Sequence, residues 1–111
     1  MATTYKVLGQ AALTQNTTSN VYTVPAATQA VISTIVICNR GAANTVYRLA
    51  VQPAGAALAN QHFISYDTVL PQNDTIALTL GITLGNTDVI SANTEASNDN
   101  VCITIFGSEI T

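Results

Sequence analysis

The stretch NVYTVPAATQAVISTIVICNRGAANTVYRLAV, Asn20 to Val51, decides the fold. It reads as a short strand (Val21 to Val24), a Pro-Ala-Ala turn, a long strand (Gln29 to Cys38), a polar turn and a returning strand (Thr45 to Gln52). Val, Ile and Thr suit a pleated backbone better than a helix. Pro25 ends the short strand because it cannot donate to a sheet ladder, and it sits at the favoured second position of a β-turn. The hairpin-like loop Asn39 to Asn44 contains Asn and Gly, which accept the positive φ angles of tight turns. Gln29 to Cys38 is apolar on both faces, with Val31, Ile35 and Ile37 on one side and Ile32, Val36 and Cys38 on the other. That pattern predicts a central strand covered on both sides. In the returning strand Tyr47, Leu49 and Val51 face the core, and Val46, Arg48 and Ala50 face away. The whole stretch holds two charges, Arg40 and Arg48, and neither a carboxylate nor a histidine. It is scaffold rather than reaction centre.

Outward from this stretch the same signals recur. Thr3 to Ala12 is a strand with Tyr5, Val7 and Gly9 on one face, and the polar segment Leu13 to Asn20 is a loop. Pro53 to Ala59 is a small-residue connection with room for one helical turn. Gln61 to Val69 is a strand with Phe63 and Ser65 opposite Ile64 and Tyr66, followed by a turn at Leu70 to Asp74. Thr75 to Leu84 alternates cleanly, with Ile76, Leu78, Leu80, Ile82 and Leu84 inward; Gly81 marks a bulge or bend that splits it. Thr87 to Ala92 and Val101 to Phe106 are further strands, with the loop Asn93 to Asn100 between them. Short strands at regular spacing with turn residues between predict an all-β chain. The expectation is a single domain over residues 1–111, an antiparallel β-sandwich of about eight strands, jelly-roll or immunoglobulin-like.

Composition narrows the function. Only 8% of the 111 residues are charged, against about 25% in an average soluble domain. The polar surface is therefore built of Thr, Ser, Asn and Gln. Such a surface is poorly protected against association, which points to protein partners. Lys6, Arg40 and Arg48 are the only cations in a chain of net charge −3. That argues against nucleic acid and against anionic membranes, both of which need several basic groups. The longest mainly apolar run, Ala30 to Cys38, is too short to span a bilayer. MATTYKVLGQ carries no apolar secretory core, so synthesis and folding in a cytoplasm are expected. The two cysteines, Cys38 and Cys102, are then expected as buried free thiols. A disulfide between them requires their strands to face each other.

Chemistry is sparse. His62 is the one histidine, expected at the surface or rim, with Asp67 on the opposite face of its strand. No cluster has metal-ligand spacing; Glu95 and Asp99 could bind calcium only weakly. The glycines are isolated, so no phosphate loop is present, and no nucleophile elbow surrounds the serines. Catalytic residues, metal and cofactor are all expected to be none. Most of the four tyrosines are expected to alternate toward the core, and Trp is absent. Both argue mildly against a sugar platform.

Tyr22 to Ala26 (Tyr-x-Val-Pro-Ala), Cys38 to Gly41 (Cys-Asn-Arg-Gly), Pro53 to Gly55 and Asn73 to Thr75 together resemble short structural proteins of tailed bacteriophages, especially those of cyanobacteria. The resemblance spans nearly the whole chain, and its motifs are architectural. It implies a virion component without catalytic residues. The leading expectation is a capsid decoration or cement protein, a homo-oligomer and preferably a trimer, bound to the major capsid protein. The alternative is a tail, neck or fibre module with host-surface adhesion. Contact residues are then expected in loops, at 13–20, 39–44 and 93–100, and at the chain ends. The candidates are Arg40 first, with Asn39, Asn44, Asn16, Asn93 and Glu95.

Overall fold

The computed structural model describes residues 2–95 and 100–111. Nine strands form two antiparallel sheets. In chain order they are β1 (Thr3–Ala12), β2 (Ser19–Thr23), β3 (Gln29–Asn39), β4 (Thr45–Gln52), β5 (Phe63–Leu70), β6 (Thr75–Leu78), β7 (Ile82–Leu84), β8 (Val89–Thr94) and β9 (Val101–Ile110). One sheet has the order β1-β9-β3-β6, with β7 also on β3, and the other β2-β8-β4-β5. Both β6 and β7 pair with β3, so they act as one interrupted strand. Counted that way, eight strands alternate between sheets, and only β4 and β5 are hairpin neighbours. This is the jelly-roll arrangement, so of the two expected sandwich topologies the immunoglobulin-like one is not adopted.

The core lies between the sheets. Ile35, Ile37, Ile103 and Ile105 of the five-stranded sheet meet Leu49, Ile90 and Tyr47 of the four-stranded one, with Leu13, Val24 and Leu70 closing the ends. Leu13 and Leu70, read from sequence as loop and turn residues, are fully buried.

Three departures from simple alternation share one cause. In β3 the register against β9 shifts between Ile32 and Thr34. Ala30 and Ile32 point inward before the shift, and Ile35, Ile37 and Asn39 after it. The strand looks apolar on both faces because a bulge reverses its parity, not because both faces are covered. In β1 a shift between Val7 and Gly9 likewise separates Gly9 from the outward Tyr5 and Val7. In β5 the register breaks opposite Tyr47 and Leu49, and Asp67 has φ of 51°. That brings Phe63 and Tyr66 together, ring centroids 4.9 Å apart and edge to face, where alternation had put them on opposite faces.

The run from Thr75 to Leu84 breaks at Gly81, φ 65°. Leu80 is exposed, so four rather than five of its aliphatics turn inward. The connection after β4 forms two 3-10 turns, Pro53–Gly55 and Asn60–His62. His62 is buried and belongs to the second turn rather than to a strand, its Nδ1 accepting from the Ala59 N–H at 3.0 Å. Its environment is structural.

Candidate functional site

The β1–β2, β3–β4, β5–β6 and β8–β9 connections all emerge at one end of a sandwich 45 Å long. The described residues of the three loops singled out from sequence therefore lie at one end, whereas the chain ends pair at the opposite end through Ala2 and Thr111. Around 41–45, with Asn39, Glu95 and Asn100, lies an open hollow of about 340 Å³.

Three of the six candidates, Asn39, Asn44 and Asn93, use their side-chain amides to build the end, while Asn16, Arg40, Asn44 and Glu95 are exposed there. Asn39 is buried at the tip of β3. Its Nδ2 donates to the carbonyls of Ala43, Leu70 and Pro71, and its Oδ1 accepts from the Gly41 N–H. Asn44 Oδ1 accepts from the Gln72 N–H at 2.9 Å. Asn93 Nδ2 donates to Thr18 Oγ1, and Asn16 adopts φ of 55° while its N–H bonds Thr94 O. Glu95 is exposed. Arg40 is exposed at the rim, its Nε donating to Cys102 Sγ at 3.3 Å. Asp99, the other half of the calcium pair, lies outside the described residues.

Sequence reasoning missed the larger feature, the outer face of the five-stranded sheet. Register places Tyr5 opposite Ser108, Val7 and Thr34 on either side of Phe106, and Val31 between Ser108 and Thr83. Tyr5 is 82% exposed, and Val7, Val31 and Phe106 are exposed beside it. Val36, Cys38, Cys102 and Ile110 are half-buried on the same side. Among the described residues, no outward position of this sheet is charged. The signal was available in the Tyr5, Val7 and Val31 positions, but parity could not be assigned without the bulges.

The other sheet is covered by its own chain. Gln52 Nε2 donates to Ala56 O in the 53–62 connection, and Ser91 Oγ donates to Gln52 Oε1 at 2.6 Å, all beneath that connection. Further along, Arg48 holds Asp67 through two hydrogen bonds of 2.6 and 3.2 Å, and its guanidinium stands 4.1 Å over the Tyr66 ring. The Arg48 bond holds the Asp67 carboxyl below the usual range, and Asp67 in turn raises Arg48. Of the tyrosines, Tyr22 and Tyr47 are buried but Tyr5 and Tyr66 are exposed. The sequence-based argument from buried tyrosines thus holds for only two of the four.

Two charges sit on the inward side of the first sheet, at its β1 edge. Lys6 Nζ is 2.8 Å from Glu109 Oε1, and Tyr22 Oη donates to Glu109 Oε2 at 2.7 Å, joining the two sheets. The hydrogen bonds from Lys6 and then Tyr22 hold Glu109 below the usual carboxylate range. Burial first, then the Glu109 bond, pushes the Tyr22 phenol well above its ordinary value. An inward charge at the end of an edge strand opposes pairing by a foreign strand. Among the described residues, no group of three or more His, Cys, Asp or Glu stands close enough to hold a metal. No family model matches this chain, and no curated protein or solved structure matches it either.

Proposed function

We propose that this chain is a virion structural protein, a capsid decoration or cement protein that acts without catalysis or cofactor. It would bind the major capsid protein and associate with its own copies, with a trimer favoured. The observation that carries this reading is the outer face of the five-stranded sheet. There Tyr5, Val7, Val31 and Phe106 are exposed among Thr, Ser and Gln. Among the described residues no outward strand position is charged, and Arg40 reaches only the edge of the face at Cys102. Three long strands, β1, β9 and β3, with the short β6 and β7 beside them, spaced about 4.8 Å apart, make a face on the order of 500 Å². That approaches one side of a specific protein interface, about 800 Å² of accessible surface, and matches the largest patch of a typical monomer, about 300–600 Å², which is often functional. Eight-stranded jelly rolls occur in viral capsid domains, which agrees with the sequence motifs but is fold-level analogy. The mechanism is added interface: many copies, each burying this face across the seams of a shell, raise the pressure the shell withstands.

The exposed Tyr5 ring gives the tail, neck or fibre reading its footing, since jelly rolls also occur in lectin domains and sugars stack on exposed aromatics. Quantifying the chain in purified particles separates the two. A copy number near that of the capsid protein is expected for cement. A count of tens or fewer per particle moves the chain to the tail, and absence from particles ends both readings.

A further inference from the structure

We propose that Cys38 and Cys102 form a cross-strand dithiol site that low-molecular-weight disulfides oxidise to an intramolecular disulfide. The two residues are direct partners on β3 and β9, and both are free thiols. The Arg40 N–H bonds Asn100 O at 2.8 Å, so by the alternation of antiparallel ladders Cys38 and Cys102 are a hydrogen-bonded pair. Their Cα atoms are then about 5.5 Å apart, inside the range that a disulfide spans. Their Cβ atoms must approach by roughly 1 Å to close the bridge, which makes it a reducible bond rather than a permanent staple.

Access and chemistry favour Cys102 as the first nucleophile. Both side chains are half-buried on the open face. A hollow lined by Gln10, Ala12, Cys102 and Thr104 opens beside Cys102. Arg40 Nε donates to the Cys102 sulfur, and an exchanging sulfur carries negative charge as it attacks.

With oxidised glutathione as co-reactant the steps balance. The Cys102 thiolate attacks one glutathione sulfur, the glutathione S–S bond breaks, and one glutathione thiolate leaves. The Cys38 thiolate then attacks the Cys102 sulfur of the mixed disulfide, forming the Cys38–Cys102 bond and expelling the second glutathione. The two protons lost by the cysteines end on the two glutathione thiolates. The protein gives up two electrons and the glutathione disulfide accepts them.

The test is intact-mass measurement of the folded chain during incubation with oxidised glutathione, alongside C38S and C102S. The wild-type chain is expected to lose two hydrogens and retain no glutathione. C38S should stop with one glutathione on Cys102, and C102S should react several-fold more slowly. Stable glutathione adducts on both cysteines of the wild-type chain, or a disulfide between two chains instead of within one, would overturn the proposal. So would thiols that stay unreacted in the folded chain while the urea-unfolded chain is modified.

Discussion

Tyr22, Glu109 and Lys6 show how few charges this chain can spend and how each is fixed. Glu109 is held below its ordinary value of 4.5 by its two donors. The folded state therefore releases this proton more readily than the unfolded chain. Its contribution is complete above about pH 4.5 and is lost as pH falls through the lowered value. Tyr22 works at the other limit. Its phenol is raised above 10.0 by burial and by Glu109, so above about pH 10 the unfolded chain ionises first and stability falls. Y22F should cost about 1 kcal/mol near neutrality, through the lost hydrogen bond, and should flatten the alkaline limb. E109Q keeps a group that Tyr22 can donate to while discharging the pair with Lys6, so it should flatten the acid limb. Urea midpoints measured from pH 3 to 11 check both. An acid limb unchanged in E109Q would assign acid lability to Asp67, which its Arg48 bonds also hold low.

At the scale of elements the irregularities govern the sheet. The β3 shift and the β1 shift meet β9 at neighbouring positions, since Val7 and Thr34 both pair with Phe106. Gly107 follows, and a Cβ there would collide with the Val31 carbonyl oxygen and press on Leu8 Cδ1. G107A should therefore cost about 3 kcal/mol, the upper end for overpacking a core. Gly81 is the contrasting case. A Cβ there meets nothing within 4 Å, so only its φ of 65° matters, and G81A should cost about 1–2 kcal/mol. Thermal or denaturant melts of the two variants separate steric from backbone strain.

The same irregularities explain what the sequence did and did not disclose. Strand β4 was legible to the residue because its alternation is unbroken and Tyr47 and Leu49 point as their spacing requires. Gly81 was legible as a break because glycine marks one. The bulges in β1 and β3 were not legible, since Leu8 and Ser33 carry no turn signature, and a one-residue shift inverts every assignment beyond it. Asn39 looked like a surface turn residue. Only the fold shows three carbonyls converging on its amide, a contact set drawn from segments some thirty residues apart.

At the scale of the whole molecule the two faces differ in kind. The four-stranded sheet is finished by its own chain through the 53–62 connection and the Arg48–Asp67 pair. Among the described residues no connection covers the five-stranded sheet, and its outward strand positions carry no charge, Arg40 reaching only the edge at Cys102. For a chain of net charge −3, the part of that face away from Arg40 is where a neighbour can approach without burying a charge, whose desolvation costs several kcal/mol. At the loop end the side chains of Asn39, Asn44 and Asn93 are already engaged in holding the loops. The two surfaces can be separated by substitution. V31E and F106E place a carboxylate on the open face at positions only 38% and 39% exposed, so folding stability should fall by about 1 kcal/mol and the fold should persist. Incorporation into particles, or sedimentation as an oligomer, should be lost. R40Q at the rim should weaken assembly slightly at most. If V31E and F106E assemble normally while R40Q does not, the binding surface is the loop end and the open face has another use.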